Sequence, residues 1–479
     1  MVGRFFKNIT YMSFGTFFQF FIAFLSTAIY IRVIGTSGYA ILGIVFSLIN
    51  IFIQLDMPFK LTLVKHNLDY YGKQKDKFEL MFSTLYSSIL ISNLIILPLL
   101  FLLSIFLSII VYKDSSLIPF YSIAILVLIM NRVNIFLKHF LRANRNEIII
   151  QKSYIPAITL EFLSSVTLLL VFNLGVMSIF IGALLRNLLE YFLLRYYSGG
   201  LIKHRAYFSL ELFANTFRKH IFHNHIQNIL YDLMLYGGLF VSTFYLNVTS
   251  LGILTIIISI LRKFRELFFP LSIHLWPIFS YAILKKMHGK IKEIIKNITF
   301  LLIVFNIIIA LFLLLIGKPL YSLYFGSKMN GTYFLFLLMM FGILLNTSLN
   351  AVRNYFFVLD IKLLNKINIV LITIFFIALI PIIKALGILG MALAFFAINI
   401  IKLPIMYFFL YEKHGKVIDN DTFMLFIILI VSMAVTLLIH GNNLSFVLII
   451  LPSILILLLG FLLNIKKIIK MIKFIVFEI

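Results

Sequence analysis

The sequence contains no cysteine and few charged residues, which make up only 12% of its 479 positions. Without cysteine the chain has no disulfide, no catalytic thiol and no thiolate ligand for a metal. Acidic residues are especially scarce, at 17 against 41 lysines and arginines, so the formal net charge is +24. This composition excludes a disulfide-stabilised secreted protein and a cysteine-dependent enzyme.

Motifs for catalysis are also missing from the sequence. It shows no Gly-rich phosphate loop, no paired carboxylates in a long connection and no spacing typical of a metal site. The segment HIFHNH, with His220, His223 and His225, looks similar to a metal site, but it lies where a predicted span begins. We interpret it as a polar cap at the membrane interface, and we predict no catalytic residue, no metal and no cofactor.

Apolar residues dominate instead, at 62% of the chain with a mean hydropathy of +1.09. No soluble domain has this composition, so we predict an all-α polytopic membrane protein. A spanning helix needs roughly 20 apolar residues, and this criterion predicts about fourteen transmembrane helices, the first of them retained rather than cleaved. The predicted spans are 9–33, 39–64, 79–112, 117–138, 153–172, 175–195, 222–246, 250–281, 296–316, 333–358, 364–383, 387–411, 422–440 and 444–464.

Basic residues are divided unevenly between the connections that join these spans. Alternate connections hold most of them, whereas the opposite connections, which are all short, hold Lys113, Lys318, Lys328 and Lys384. Because cytoplasmic loops carry the excess of Lys and Arg, both termini are predicted to be cytoplasmic. The same distribution accounts for most of the net charge, so we expect no binding of nucleic acid.

The sequence contains a weak internal repeat. Met57-Pro58-Phe59 matches Phe269-Pro270-Leu271, and the segment 174–177 matches 386–389 at the same sequence separation. This separation, from Pro58 to Pro270, is called the repeat offset below. We infer two parallel six-helix lobes around a central cavity, an arrangement that suits alternating access. Pro58 and Pro270 are expected to kink spans two and eight. The predicted domains are an N-terminal lobe 1–200, a basic cytoplasmic linker 201–221, a C-terminal lobe 222–411, and two further helices with a basic tail, 412–479.

Charges inside predicted spans are candidates for function, because they cost free energy in a membrane. The run SILRKFRELFFP at 259–270 holds four, and helical spacing places Arg262, Arg265 and Glu266 on one face. We interpret this face as a cavity lining in which Glu266 orients Arg262; the alternative is an ion pair between helices that only fixes packing. The other predicted cavity cations are Lys263, Arg186, Lys402, Arg132, Arg353 and Lys60.

Some of these cations have a second explanation. Arg132, Arg353 and Lys60 lie nearer the cytoplasmic side, where snorkelling to lipid phosphates explains them equally well. For Arg186 the cavity interpretation is preferred, and Glu190 follows it by one helical turn.

Acids inside the predicted spans are rarer than bases. Asp232 and Glu161 each either bind a coupling proton or sodium ion or pair with a neighbouring base. Glu190 stands at the repeat position of Lys402. The candidates for ion coupling or ion pairing are Asp232, Glu161, Glu190 and Glu266.

Several passages together resemble a known family. They are YIRVIGTSGYAILGIV (30–45), Asp232 followed by TSLGILTIIISILRKFRE (249–266), LYFGSKMNGT (323–332) and LGILGMALAF (386–395). In order and spacing they resemble the Wzx-type polysaccharide transporters, which are flippases of lipid-linked oligosaccharides in a superfamily shared with multidrug and toxic-compound extrusion proteins. Two features depart from that pattern: Ile253 replaces an aromatic residue, and the first span has no internal Arg or Lys.

The resemblance implies a function without a covalent step. It implies that undecaprenyl-pyrophosphate-linked oligosaccharide units cross the bacterial inner membrane for O-antigen (lipopolysaccharide), capsule or exopolysaccharide synthesis. The implied partners are this substrate, membrane lipids, a coupling H⁺ or Na⁺ and other polysaccharide-assembly proteins. Two alternatives remain: an ion-coupled exporter of small cationic drugs, which the basic excess disfavours, and a membrane polysaccharide polymerase or ligase, which the short outer connections disfavour.

Overall fold

The structure is a computed structural model that describes residues 2–54, 75–143, 146–198, 207–216, 226, 229–230, 232–415, 417 and 419–442. These residues are helical, with no β-strand among them. The helices are α1 (Val2–Gln54), α2 (Lys75–Phe106), α3 (Leu117–Ala143), α4 (Glu147–Leu170), α5 (Met177–Ser198), α6 (Leu210–Thr216), α7 (Gly238–Ser242), α8 (Val248–Glu266), α9 (Phe269–Leu284), α10 (His288–Phe312), α11 (Lys318–Phe325), α12 (Tyr333–Ser348), α13 (Asn350–Leu359), α14 (Ile361–Leu386), α15 (Ile388–His414) and α16 (Asn420–Asn442).

Eight helices in the described part of the chain are long and apolar enough to cross a membrane. A ninth span results if α12 and α13, which bend by 50° where they meet, are counted together. The predicted all-helical, multi-span class is therefore confirmed, but the number of fourteen is not. Predicted spans two and seven lie partly outside the described residues, and span fourteen lies wholly outside them.

Helix α1 holds predicted span one and the described part of span two, separated by a single irregular residue. Gly35 has φ 66° and ψ −169°, and these backbone angles lie outside the helical region. Glycine adopts positive φ without the steric cost that a Cβ would bring. The chain therefore changes direction at Gly35 with almost no connecting loop.

The helices present apolar residues outward as well as inward. In α2, Leu94, Leu99 and Leu102 are exposed. On its other side Phe82 packs against Phe136 and Phe140 of α3, with ring centroids 5.2 and 4.3 Å apart. Apolar residues on both sides are expected for a helix that faces lipid and protein at once.

The first half of α8 lies against the second half of α1 with almost no intervening side chains. A Cβ at Gly43 would collide with the hydroxyl of Thr255, and one at Gly252 would collide with the backbone oxygen of Thr36. Small residues let helix backbones approach closely in membrane proteins. Gly43 and Gly252 therefore set how near these two helices lie.

The chain divides into two compact units, Met1–Ile256 and Ile257–Ile479, called unit 1 and unit 2 below. The division falls within α8. The lobe boundaries proposed from the sequence at 200 and 222 stay a prediction.

One turn recurs in both units at the repeat offset. Gly175 has φ 55° just before α5, and Gly387 has φ 58° just before α15. These two glycines are separated by the same number of positions as Pro58 and Pro270. The same left-handed residue thus starts the corresponding helix in each unit.

Candidate functional site

The charged run at 259–270 lies at a helix end and not inside one continuous helix. Helix α8 ends at Glu266 and α9 begins at Phe269, so the predicted span over 250–281 is interrupted beside Pro270, the residue at which the sequence predicts a kink. Pro270 stands in the first turn of α9. Its ring lacks an N–H and would clash with the carbonyl four residues earlier, at Glu266, which explains the break.

Four residues at this helix end, Arg262, Lys263, Arg265 and Glu266, form what we call the α8 cluster. Glu266 accepts from two cations at once: its Oε1 lies 3.3 Å from Arg262 Nε, and its Oε2 lies 3.1 Å from Lys263 Nζ. Basic groups are favoured at a helix C-terminus, where backbone carbonyls are left without partners. Because one acid faces three bases, the cluster keeps a net positive charge.

Three of the predicted charges of unit 1, Arg186, Glu161 and Glu190, form ion pairs with each other or with a neighbour. Arg186 Nη1 lies 2.9 Å from Glu161 Oε2, so Glu161 adopts the pairing alternative. Glu190, which is 0% exposed, lies 2.9 Å from Lys138 Nζ. Both pairs join helices of unit 1, and each carries one positive and one negative charge.

Lys138 is the member of these pairs that sequence reasoning missed. The predicted span 117–138 ends at Lys138, but its side chain is only 15% exposed and lies within α3, which continues to Ala143. The partner, Glu190, is 52 positions away. Local hydropathy does not reveal such a pairing, because it depends on how α3 packs against α5.

Three other predicted residues of the first half differ in their surroundings. Arg132 is 2% exposed and donates from Nη2 to Ser92 Oγ at 2.9 Å, so it is enclosed by protein and does not snorkel. Asp232 is buried directly before a π-helical turn, Leu233–Gly237. Lys60 lies outside the described residues, as do Pro58 and His220, His223 and His225.

Unit 2 holds a second group of basic residues away from a helix end. Lys402 on α15 is 2% exposed and makes no hydrogen bond or ion pair with any described residue. Arg353 on α13 is its charged neighbour and donates from Nη2 to Asn350 Oδ1 at 2.6 Å. The bend between α12 and α13 directly precedes Asn350.

Asparagines form a similar contact in each unit, and all four are buried except Asn346, which is partly buried. Asn134 donates to the backbone oxygen of Asn187 at 2.8 Å, and Asn346 donates to Asn399 Oδ1 at 2.8 Å. Asn187 and Asn399 each also donate to the carbonyl four residues earlier, at 2.7 Å. Asn134 and Asn346 are separated by the repeat offset, and so are Asn187 and Asn399. The sequence repeat therefore coincides with a repeated polar contact.

Among the described residues, no three His, Asp or Glu side chains come together as a metal site would require. The carboxylates of unit 1 that do come close to other charges face bases instead.

Comparison with known proteins gives matches at the level of structure. No protein-family profile matches the sequence, and no curated protein matches it. A structure of the lipid II flippase MurJ in an inward closed conformation superimposes with a TM-score of 0.67 and 16% identity, covering 95% of this chain and 99% of that chain. An inward-facing multidrug resistance MATE transporter of the MOP superfamily superimposes with a TM-score of 0.63 and 11% identity. The match covers 83% of this chain and 94% of that chain.

The chain has the MurJ/MATE fold. A further structure, a complex of the MATE multidrug transporter DinF-BH, superimposes with a TM-score of 0.58 and 16% identity, over 85% of this chain and 96% of that chain. The proteins with this shared MurJ/MATE fold are flippases and transporters, not enzymes. At such identities the likeness concerns the fold, and the substrate has to be argued from side chains.

Proposed function

We propose that this protein is a flippase for undecaprenyl-pyrophosphate-linked oligosaccharide units. It moves them from the cytoplasmic to the outer leaflet of the bacterial inner membrane by alternating access, with both termini cytoplasmic. The units then serve O-antigen, capsule or exopolysaccharide synthesis. The α8 cluster is the observation that carries this proposal.

The chemistry of the substrate matches that of the cluster. A pyrophosphate headgroup is anionic and has to pass about 30 Å of hydrocarbon. The planar guanidinium of an arginine donates paired, charge-assisted hydrogen bonds to phosphate oxygens. In this proposal Arg262 and Arg265 bind the pyrophosphate, and Glu266 holds Arg262 in place while leaving the cluster positive.

The remaining predicted cations divide into two roles in this proposal. Lys402 and Arg353 add positive charge in unit 2, and Lys60 stays a predicted ligand. Arg186 and Arg132 hold α5 and α3 through Glu161 and Ser92, because one donor of each guanidinium is engaged there. Asp232 stays a candidate for a coupling H⁺ or Na⁺.

The fold supports export of a drug as a second candidate, since two of the similar structures are multidrug transporters. The charge of unit 2 disfavours a cationic drug, because a positive surface repels it. The similarity to a lipid II flippase supports a lipid-linked substrate instead.

The test uses a strain that lacks this gene. Lipid-linked oligosaccharide and surface polysaccharide are quantified, and the strain is complemented with wild type, Arg262→Ala, Arg262→Lys or the control Lys384→Gln. Lys384 is an exposed cation in the last turn of α14, so it matches Arg262 in its place on a helix. We expect accumulation of lipid-linked units in the deletion, rescue by wild type and Lys384→Gln, and failure of Arg262→Ala at equal membrane abundance.

The outcome for Arg262→Lys distinguishes charge from geometry. Rescue means that a positive charge suffices, and failure means that the arginine fork is needed. A deletion strain with normal surface polysaccharide and no accumulated lipid-linked units contradicts the flippase assignment, and drug export is then the function to measure.

A further inference from the structure

Two histidines of unit 2 meet where α10 begins and α15 ends. His288 is the first residue of α10 and His414 is the last residue of α15, and their ring centroids lie 6.1 Å apart. Lys292 follows His288 by one helical turn, so both lie on the same face of α10. These three residues are called the His–Lys cluster below. The connections at both helix ends are predicted to be cytoplasmic, so we expect the cluster at the inner membrane surface.

Tyr355 holds the imidazole of His414 in place. It is 2% exposed and lies on α13, which packs against both α10 and α15. Its hydroxyl shares a hydrogen bond with Nε2 of His414, and Nδ1 makes no hydrogen bond with a described residue. His414 is half-buried, so its ring is positioned by protein on one side and open on the other. When the ring is protonated, Nδ1–H is a donor for a ligand.

The charged groups that act on His414 are cations. They are His288 and Lys292 from α10 and Lys413 from its own helix. Basic groups that converge between helices at the cytoplasmic surface of a membrane attract the anionic headgroups of lipids. The His–Lys cluster is therefore a place of positive potential at this end of unit 2.

Other lysines at this end of unit 2 are neutralised by acids, which the cluster lysine is not. Lys413 Nζ lies 3.1 Å from Asp360 Oδ2, and Lys296 Nζ lies 3.1 Å from Asp419 Oδ2. Neither member of the His–Lys cluster on α10 makes an ion pair with a described residue. The cluster thus keeps its positive charge available for an external anion.

We propose that the His–Lys cluster binds a phosphate group at the membrane surface. The imidazole donors of His288 and His414 and the ammonium of Lys292 bind its oxygens by charge-assisted hydrogen bonds. Because both helices end at the membrane surface, we expect an anionic phospholipid to supply this phosphate. A soluble phosphate ester offers the same chemistry, and the experiment below separates the two sources. The site does not depend on the proposed function, since no transported substrate is needed for binding.

Thermal unfolding of the intact protein measures binding, because a ligand that binds only the folded state raises the unfolding midpoint. Trp276, the one tryptophan of the chain, reports unfolding through its fluorescence. The purified protein in detergent is titrated with phosphatidylglycerol at constant ionic strength. Phosphatidylcholine is the lipid without net charge, and glycerol 3-phosphate is the soluble ester.

We expect a saturable rise of the midpoint with phosphatidylglycerol that phosphatidylcholine does not give. Lys292→Gln should weaken the apparent affinity about tenfold, the effect of losing one charge-assisted hydrogen bond. Lys290→Gln is the matched control, because Lys290 is an exposed cation on the same turn but on another side of α10. Equal weakening by the two variants shows attraction to general surface charge and overturns the proposal. So does a wild type that responds equally to both lipids.

A gain of charge protects the test against loss of folding. His288 is exposed, so His288→Lys should fold as wild type does and keep a cation in the cluster at every pH of the test. Unfolding midpoints in phosphatidylcholine alone compare the folding of all variants. We expect His288→Lys to bind phosphatidylglycerol at least as tightly as wild type, whereas His288→Gln should bind it more weakly. Equal affinities of His288→Lys and His288→Gln contradict a role for charge at this position.

Protonation gives a further readout in wild type. A phosphodiester stays anionic on both sides of the ordinary histidine pKa of about 6.5, whereas the two imidazoles become cations below it. The other groups that face His414, Lys292, Lys413 and Tyr355, do not titrate in this range. We expect binding of phosphatidylglycerol to be several-fold tighter at the lower pH, and less so in His288→Lys. An affinity of wild type that is the same at both pH values overturns the role of the histidines.

The source of the phosphate follows from the soluble ester. If glycerol 3-phosphate raises the midpoint only at far higher concentration than phosphatidylglycerol does, the lipid assignment is supported. If it acts at the same concentration and also needs Lys292, the site binds phosphate but the assignment to a lipid is wrong.

Discussion

The two units differ in how their candidate charges are balanced. In the described part of unit 1 three basic and three acidic side chains occur among these candidates, whereas unit 2 has five basic and one acidic. Those of unit 1 are Arg132, Lys138, Arg186, Glu161, Glu190 and Asp232; those of unit 2 are Arg262, Lys263, Arg265, Arg353, Lys402 and Glu266. Because an unpaired buried charge is unfavourable, the ion pairs of unit 1 indicate a structural role for their members.

The largest expected effect comes from breaking the balance in unit 1. Glu190→Gln leaves Lys138 enclosed with a neutral partner, and we expect the free energy of unfolding to fall by about 3–5 kcal/mol. Denaturant unfolding in detergent measures this. The double variant Lys138→Gln, Glu190→Gln should recover most of the loss, since no charge is then left alone. If the double variant is as unstable as Glu190→Gln, the lost stability comes from packing and not from charge.

The asparagine pairs test whether the units are alike where charge is not involved. Asn134→Ala removes a buried hydrogen bond and Asn346→Ala a partly buried one, so each should cost about 0.6–2 kcal/mol. Similar losses in unfolding experiments support an equivalent contact in the two units. If the free energy of unfolding falls for only one of the two variants, the two contacts are similar in geometry but not in their contribution to stability.

Asp360 tests whether charges in unit 2 are paired outside its spanning helices. Its Oδ1 accepts from Leu363 N–H at 3.0 Å and caps α14, and its Oδ2 lies 3.1 Å from Lys413 Nζ. Asp360→Ala should cost about 1 kcal/mol, mainly through the lost cap. Asp360→Asn keeps an acceptor for the cap and should cost less, because the pair with Lys413 is partly exposed.

The ion pair at Asp360 also predicts a pH dependence. Partial burial alone would raise the pKa of Asp360, but the Leu363 N–H and the Lys413 ammonium lower that pKa below its ordinary value of 3.8. A lowered pKa in the folded state stabilises the fold at higher pH, and this contribution is lost as the pH falls through the folded-state pKa. The advantage of wild type over Asp360→Asn should therefore be present at neutral pH and disappear in acid.

Glu266→Gln should have the smallest effect on stability. Arg262 and Glu266 are each 33% exposed, so the ion pair contributes less than about 1 kcal/mol. Transport should fall several-fold, since Arg262 loses the group that holds it. The thermal unfolding midpoint measures the effect on stability, and accumulation of lipid-linked oligosaccharide measures the effect on transport. A large drop in the midpoint with normal transport would reverse the roles that we assign to the two units.

The general architecture could be predicted from the sequence, because runs of apolar residues determine spans and Gly175 and Gly387 mark corresponding turns. The break between Glu266 and Phe269 agrees with the kink that the sequence predicts at Pro270, because proline stops the preceding helix. The number of spans could not be predicted from composition. For example, the two short helices α8 and α9 lie in one continuous apolar stretch of the sequence.

The pairing of charges was harder to predict than their presence. Arg186 and Glu161, and Lys138 and Glu190, approach each other across different helices, so their contacts depend on helix rotation and packing. The repeat offset offered one usable signal: it aligns Asn134 with Asn346 and Asn187 with Asn399. The same alignment places Glu190 opposite Lys402.

The close approach of α1 and α8 has a consequence for how this chain evolved. Gly43 and Thr255 are themselves separated by the repeat offset, so each is the counterpart of the residue that it touches. A gene duplication begins with the same amino acid at both places, and two side chains of threonine size do not fit. In a chain duplicated at this offset, a larger side chain at one of these two positions requires a small one at the other.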